Sequence, residues 1–172
     1  MNARAMLLGG LLGGLSALSG CASHTPLPKQ QAALVVGLPL TLQIQRQQPP
    51  TSPENWLLVV QRENAGLRWS LFDPLGIPLA RQQLLDGAWQ NDGLLPPNGE
   101  ARELFAALLF ALTPSAALAN NYDADSWQEH ADGQRRLNPD WRIRYRAPVD
   151  FTLFGADGLS YLVHALPPKE PR

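Results

Sequence analysis

The sequence predicts a mainly β, α+β domain: a curved antiparallel half-barrel of about nine strands with an apolar helix inserted mid-chain over the concave face. Three observations lead there. Apolar residues recur at period 2 in short runs separated by turn residues, the pattern of half-buried strands. One segment breaks that pattern: from Leu104 to Leu112 every residue is apolar, as in a helix buried on most sides, and the run is too short to cross a bilayer. Hydrophobic residues make up 45% and charged residues 17% of the 172, enough for a real core and too little charge for a disordered chain.

The elements follow in order. Leu38, Leu40, Leu42 and Ile44 alternate with Pro39, Thr41, Gln43 and Gln45, and residues 47–55, with three prolines, form a loop. Trp56 to Val60 is a continuous apolar strand, and Asn64-Ala65-Gly66 turns the chain into the alternation of Leu67, Trp69 and Leu71. Asp73-Pro74-Leu75-Gly76 is a tight turn, Pro presetting φ and Gly tolerating positive φ. Ile77 to Leu85 and Gly87 to Asn91 are two further strands. Pro96-Pro97 then stops extended structure, Asn98 caps, and Gly99 to Leu112 is helix until Thr113-Pro114 ends it, with Ser115 to Asn120 adding a turn or two. Strands resume at Trp127 to Ala131, Gln134 to Leu137 after an Asp132-Gly133 hairpin, Trp141 to Arg146, Asp150 to Phe154 and Leu159 to Leu166.

A helix so apolar admits two roles. It forms ordinary core, or it is a lid over an apolar cavity held loosely enough to admit a lipid chain. In the second case the cavity walls are Leu42, Ile44, Trp56, Leu58, Trp69 and Leu71, and the lid is Leu104, Phe105, Leu108, Leu109 and Leu112.

The N-terminus points to export. Arg4 gives a positive start, and Ala5 to Leu18 is an apolar stretch of signal-peptide length. Leu18-Ser19-Gly20-Cys21 resembles the lipobox of bacterial lipoproteins, in which small residues fit a narrow peptidase site and the cysteine thiol takes the diacylglyceryl group. The chain has one cysteine, so no internal disulfide forms. The expected organisation is a signal peptide over 1–20, a lipidated N-terminus and polar tether over 21–36, the half-barrel over 37–167 and a polar tail over 168–172. Ala22 stands where an inner-membrane retention signal has Asp, which implies the periplasmic face of the outer membrane, with palmitate among the acyl groups expected on Cys21. Three acyl chains anchor permanently.

The order of strands, apolar helix and further strands behind a lipobox resembles the lipoprotein-carrier superfamily that includes LolA and LolB. Trp69-Ser70-Leu71-Phe72-Asp73-Pro74-Leu75-Gly76 looks like the strand and turn of LolB-like proteins, and Leu95-Pro96-Pro97 like the entry to their helix. More closely still, the chain resembles an outer-membrane lipoprotein family of unassigned activity associated with aryl-polyene type gene clusters. The resemblance covers about Leu38 to Leu166 and implies a half-barrel with an acyl-chain cavity under a helical lid. For the exposed apolar membrane-insertion loop of LolB the chain offers Leu75 alone, and a single Leu in a turn is usually packed.

No catalytic constellation stands out, so an enzyme is not expected, nor a cofactor or a metal. His24, His130 and His164 are far apart, no Gly-x-Ser-x-Gly elbow exists, and Asp123-Ala124-Asp125 lacks the rest of a calcium loop. With Arg4 removed, Lys+Arg falls from 14 to 13 against 15 acids, so the mature chain is near −2 and nucleic acid is not expected as a partner. Arg142, Arg144 and Arg146 share one strand face, opposite Trp141, Ile143 and Tyr145, with Arg135 and Arg136 on the neighbouring strand. They are a solvated face or a grip for lipid headgroups or an acidic partner; turned into the concavity they would need acids or an anionic ligand. The expected function is a non-catalytic outer-membrane lipoprotein that binds or hands on a lipid-like, acyl or polyene, molecule in an apolar cavity. The alternative is an accessory or scaffold lipoprotein of an envelope complex, with a filled core, no ligand and a protein partner.

Overall fold

The computed structural model describes residues 24–30, 33–63 and 66–167. The signal segment, Cys21, part of the Asn64-Ala65-Gly66 turn and the 168–172 tail lie outside the described residues. The strands are β1 (Leu40–Gln47), β2 (Glu54–Glu63), β3 (Gly66–Phe72), β4 (Pro78–Leu85), β5 (Ala88–Asn91), β6 (Trp127–Glu129), β7 (Arg135–Leu137), β8 (Trp141–Ala147), β9 (Asp150–Phe154) and β10 (Ser160–Ala165). Helices α1 (Gly99–Ala111) and α2 (Ser115–Asn121) come between β5 and β6 in the chain. Every segment expected to be extended is a strand, so the count of about nine corrects to 10. The ten extended segments read along the sequence are these ten strands, of which β5, β6 and β7 are the shortest, with 4, 3 and 3 residues.

All strands join one antiparallel sheet in the order β5-β4-β3-β2-β1-β10-β9-β8-β7-β6. Each half is a meander, and pairing of β1 with β10 joins them, leaving β5 and β6 as the two edges. The register aligns like with like. Leu42 faces Leu58, Leu58 faces Leu71, and Leu71 faces Ala80, while Ile44 faces Val163 and Val163 faces Phe151. Because side chains alternate along a strand, these rows make one face of the sheet apolar and buried. Alternating strand direction also sorts the turns. Those joining β1–β2, β3–β4, β7–β8 and β9–β10 gather at one end of the sheet, and the start of α1 belongs to that end through Glu100, which accepts from Arg46 near the close of β1.

The caps form as the residue types require. The Asn98 side chain accepts from the Ala101 amide at 3.0 Å, closing the first turn of α1. Asp73 accepts from the amides of Leu75 and Ile77, and Gly76 sits at φ +82°, where only glycine is unstrained. At Gly66 a methyl group would stand 2.6 Å from the Leu84 carbonyl oxygen, so the β3–β4 approach demands glycine.

One expectation changes here. The described parts of the supposed 21–36 tether, residues 24–30 and 33–36, pack on the domain: Thr25 is 5% exposed, Leu27, Leu34 and Val36 rest on the core, and the Lys29 amide donates to the Asn121 carbonyl at 2.8 Å. The Val35 amide likewise donates to Leu112 O at 2.8 Å. Thr25 and Leu27 bury enough side chain, and Glu103 offers a good enough acceptor, to hold the segment down.

Candidate functional site

The cavity and lid candidates all come together, in one continuous core. Leu42, Ile44, Leu58, Trp69, Leu71, Leu104, Phe105, Leu108, Leu109 and Leu112 are each 0–1% exposed. Side chains with so little accessible surface border no water-sized void, so in this conformation they line no open cavity. Packing between α1 and the strands is aromatic and close: Phe105 lies 5.5 Å from Trp69 and 5.8 Å from Trp89, centroid to centroid. Trp56 alone of the candidates sits at the margin, half-buried, 6.0 Å from the Tyr161 ring and under the Arg46 guanidinium.

Polar contacts tie α1 down at both ends. At its start, Glu100 accepts from Arg46 Nε and from Tyr161 Oη, each at 2.6 Å. This bond raises the Arg46 pKa above its ordinary value, against some desolvation, and burial followed by the Glu100 contact pushes Tyr161 up. At its close, buried Arg135 donates to Thr113 O at 2.7 Å and, more weakly, to the carbonyls of Phe110 and Ala111, while Tyr145 Oη donates to Ala111 O at 2.8 Å. A cation on the last carbonyls of a helix meets both the unsatisfied oxygens and the negative end of the macrodipole. Glu129 neutralises Arg135 at 2.9 Å; burial opposes the carboxylate, but Arg135 and Ser115 outweigh it and hold the Glu129 pKa below its ordinary value. Burial pushes Tyr145 up to about 12, so it is a neutral donor at physiological pH. The sequence placed Arg135 with the other arginines. Its true signal was register: Arg135 faces Ile143, and Leu137 faces Trp141, so Arg135 shares their buried face.

Arg142, Arg144 and Arg146 do share one face, and it is the exposed one. Arg146 pairs with Asp150 at 2.6 Å, and Arg144 lies over the Phe154 ring at 5.5 Å. Arg136 faces Arg142 directly across β7 and β8.

Two clefts flank the strand of chain at 24–25. One, of about 450 Å³, has Trp141, Pro139, Leu159, Ala156 and Gly99 among its walls; the other, of about 300 Å³, runs past Leu27, Trp89 and Ala106. Between them the Thr25 amide donates to Glu103 Oε2 at 2.8 Å, His24 Nδ1 lies 3.0 Å from Glu103 Oε1, and Trp141 Nε1 donates to Thr25 Oγ1 at 2.8 Å. Burial works against the Glu103 charge, but Thr25 and His24 together outweigh it and hold its pKa below the ordinary value. The histidines remain apart: His164 contacts Gln43, and His130 is exposed in the β6–β7 turn. Among the described residues no group of His, Cys, Asp or Glu could hold a metal, and no helix is long and apolar enough to cross a membrane. Lys29 meets Asp123 at 2.6 Å, so that turn carries an ion pair.

Leu75 departs from expectation. It is 85% exposed, with Ile77 at 56% and Leu94 at 105%. The Asp73 carboxylate accepts from the Leu75 and Ile77 amides, so the turn is closed by polar contacts while the Leu75 side chain stays in solvent. Comparison with protein-family models, with curated proteins and with solved structures finds no match for the chain.

Proposed function

We propose that this chain is a non-catalytic lipoprotein, anchored through Cys21 to the periplasmic face of the outer membrane, whose carrier-type half-barrel is filled by its own helix and which serves an envelope complex as an accessory protein. Here α1 occupies the concave side of the sheet as core. The observation that carries this is the burial of the cavity and lid candidates at 0–1%. Energetics supports it. Swinging α1 aside would expose Leu104, Phe105, Leu108, Leu109, Phe110 and Leu112 at roughly 1.5–3 kcal/mol each, a sum comparable to the roughly 5–15 kcal/mol stability of a whole domain. It would also strip Arg135 and Tyr145 of their carbonyl acceptors.

A second reading, a lipid-like carrier of the LolA and LolB type, is favoured by a different observation: Leu75, the residue the chain offers for an exposed apolar insertion loop, is 85% exposed in the β3–β4 turn. Native mass spectrometry of the protein released from its anchor separates the two. The filled-core reading expects the bare polypeptide mass and no uptake of a fluorescent fatty acid. A co-purifying lipid at one per chain overturns it in favour of the carrier. The anchor is tested by palmitate incorporation, which Cys21→Ala abolishes; label on the variant equal to the wild type overturns lipidation there.

A further inference from the structure

The 450 Å³ cleft beside Trp141 shares a wall with a second hollow of about 240 Å³. Pro139, Asp140, Trp141, Gly155 and Ala156 border both, and Arg136 and Arg142 border the second. One hollow is mainly apolar in its walls; its neighbour carries two guanidinium groups. The first is of a size common in small-molecule sites, roughly 300–1,000 Å³.

The two arginines stand out from the rest of the run. Arg135 has Glu129, Arg144 has the Phe154 ring and Arg146 has Asp150. Arg136 and Arg142 face each other directly across an antiparallel pair, where like charges repel, and neither has an ion-pair partner among the described residues. Asp140 borders the same hollow without pairing with either. An anion lying between them would turn repulsion into two charge-assisted contacts, and the planar guanidinium fork suits the oxygens of a phosphate.

Position supplies the occupant. His24 borders the apolar cleft, and three peptide units from Cys21 to His24 reach at most about 11 Å. If Cys21 carries the anchor, this end of the sheet lies against the headgroups of the leaflet that holds it. The exposed Leu75 and Ile77 belong to the same end, through the β3–β4 turn.

We propose that this composite hollow binds one anionic phospholipid of the anchoring leaflet, its phosphate between Arg136 and Arg142 and an acyl chain along the cleft beside Trp141. The proposal rests on the lipoprotein reading and adds an orientation and a ligand class to it. The site is separate from the core under α1, so it requires no opening of the helix.

The test uses the acylated chain reconstituted in vesicles of phosphatidylcholine alone or with one part in three phosphatidylglycerol. Hydrogen exchange is followed over residues 138–142 and 155–159. Exchange there is expected to slow several-fold with phosphatidylglycerol, and the slowing to vanish in the R136Q/R142Q variant and in half-molar salt. Both residues are exposed, so the variant should keep its melting temperature. Equal exchange in the two vesicle types, or slowing that survives the double substitution, overturns the proposal. Slowing by inorganic phosphate without vesicles, with no further effect of the lipid, replaces the phospholipid by a free anion. Intact mass separates the two levels: a chain with no acyl mass on Cys21 overturns the anchor and the orientation with it, whereas an acylated chain without the lipid effect overturns the phospholipid site alone.

Discussion

Truncating Leu108 to alanine asks whether α1 is core or lid. Leu108 is 0% exposed in the middle of the helix, between Phe105, itself against Trp69 and Trp89, and the Arg135-capped end. Leu→Ala at such a site costs the transfer of the lost methyl groups plus a cavity term, about 2–5 kcal/mol in all. For a domain of this size each kcal/mol moves the melting temperature by about 2–4 °C, so a fall of roughly 4–20 °C is expected. Circular dichroism or differential scanning fluorimetry reads it directly, with fluorescent fatty-acid uptake measured on the same samples. A lid covering a vacancy behaves differently: its truncation changes uptake and leaves the melting point nearly fixed. A shift under about 1 °C together with altered uptake would refute the filled core.

Other perturbations follow from the same contacts. Arg135→Gln removes the cation from the last carbonyls of α1 and from Glu129, and should cost about 2–3 kcal/mol in denaturant titration, far more than Arg142→Gln on the exposed face. Gly66→Ala drives a methyl group onto the Leu84 carbonyl, so β3 and β4 must shift, at about 1–3 kcal/mol by chemical denaturation. Glu103 and Glu129 are both held below the ordinary glutamate value, so their contribution is complete above about pH 4.3 and is lost as pH falls through their lowered folded values. The melting temperature should therefore decline on acidification, with a shallower decline in Glu103→Gln. Hydrogen exchange in that variant should quicken over residues 24–28, because Thr25 loses its charged acceptor.

Much of the secondary structure was legible in the chain because its causes are local. Period-2 runs gave β1, β3 and β8, Asn98 gave the start of α1, and Asp132-Gly133 gave a turn whose glycine takes φ +77°. Leu75 shows where local reasoning fails. A leucine in a turn is usually packed, yet here the Asp73 carboxylate completes the turn and the side chain is left outside. The segment after residue 23 looked like a polar spacer by composition, and only its distant partners reveal it as part of the domain: Thr25 receives the Trp141 indole from 116 positions away.

What the sequence determined alone was the element order and the single apolar helix, since each rests on spacing over a few residues. What the tertiary structure decided was which strand faces are buried, that Arg135 turns inward while Arg136 and Arg142 oppose each other outside, and that Leu104, Phe105, Leu108 and Leu109 of α1 and Leu112 at its end are all buried to 0–1% exposure. Those outcomes depend on register between strands and on whether facing side chains fill the space between them. A one-residue slip would reverse every face, and no local pattern records the volume left over when two surfaces meet.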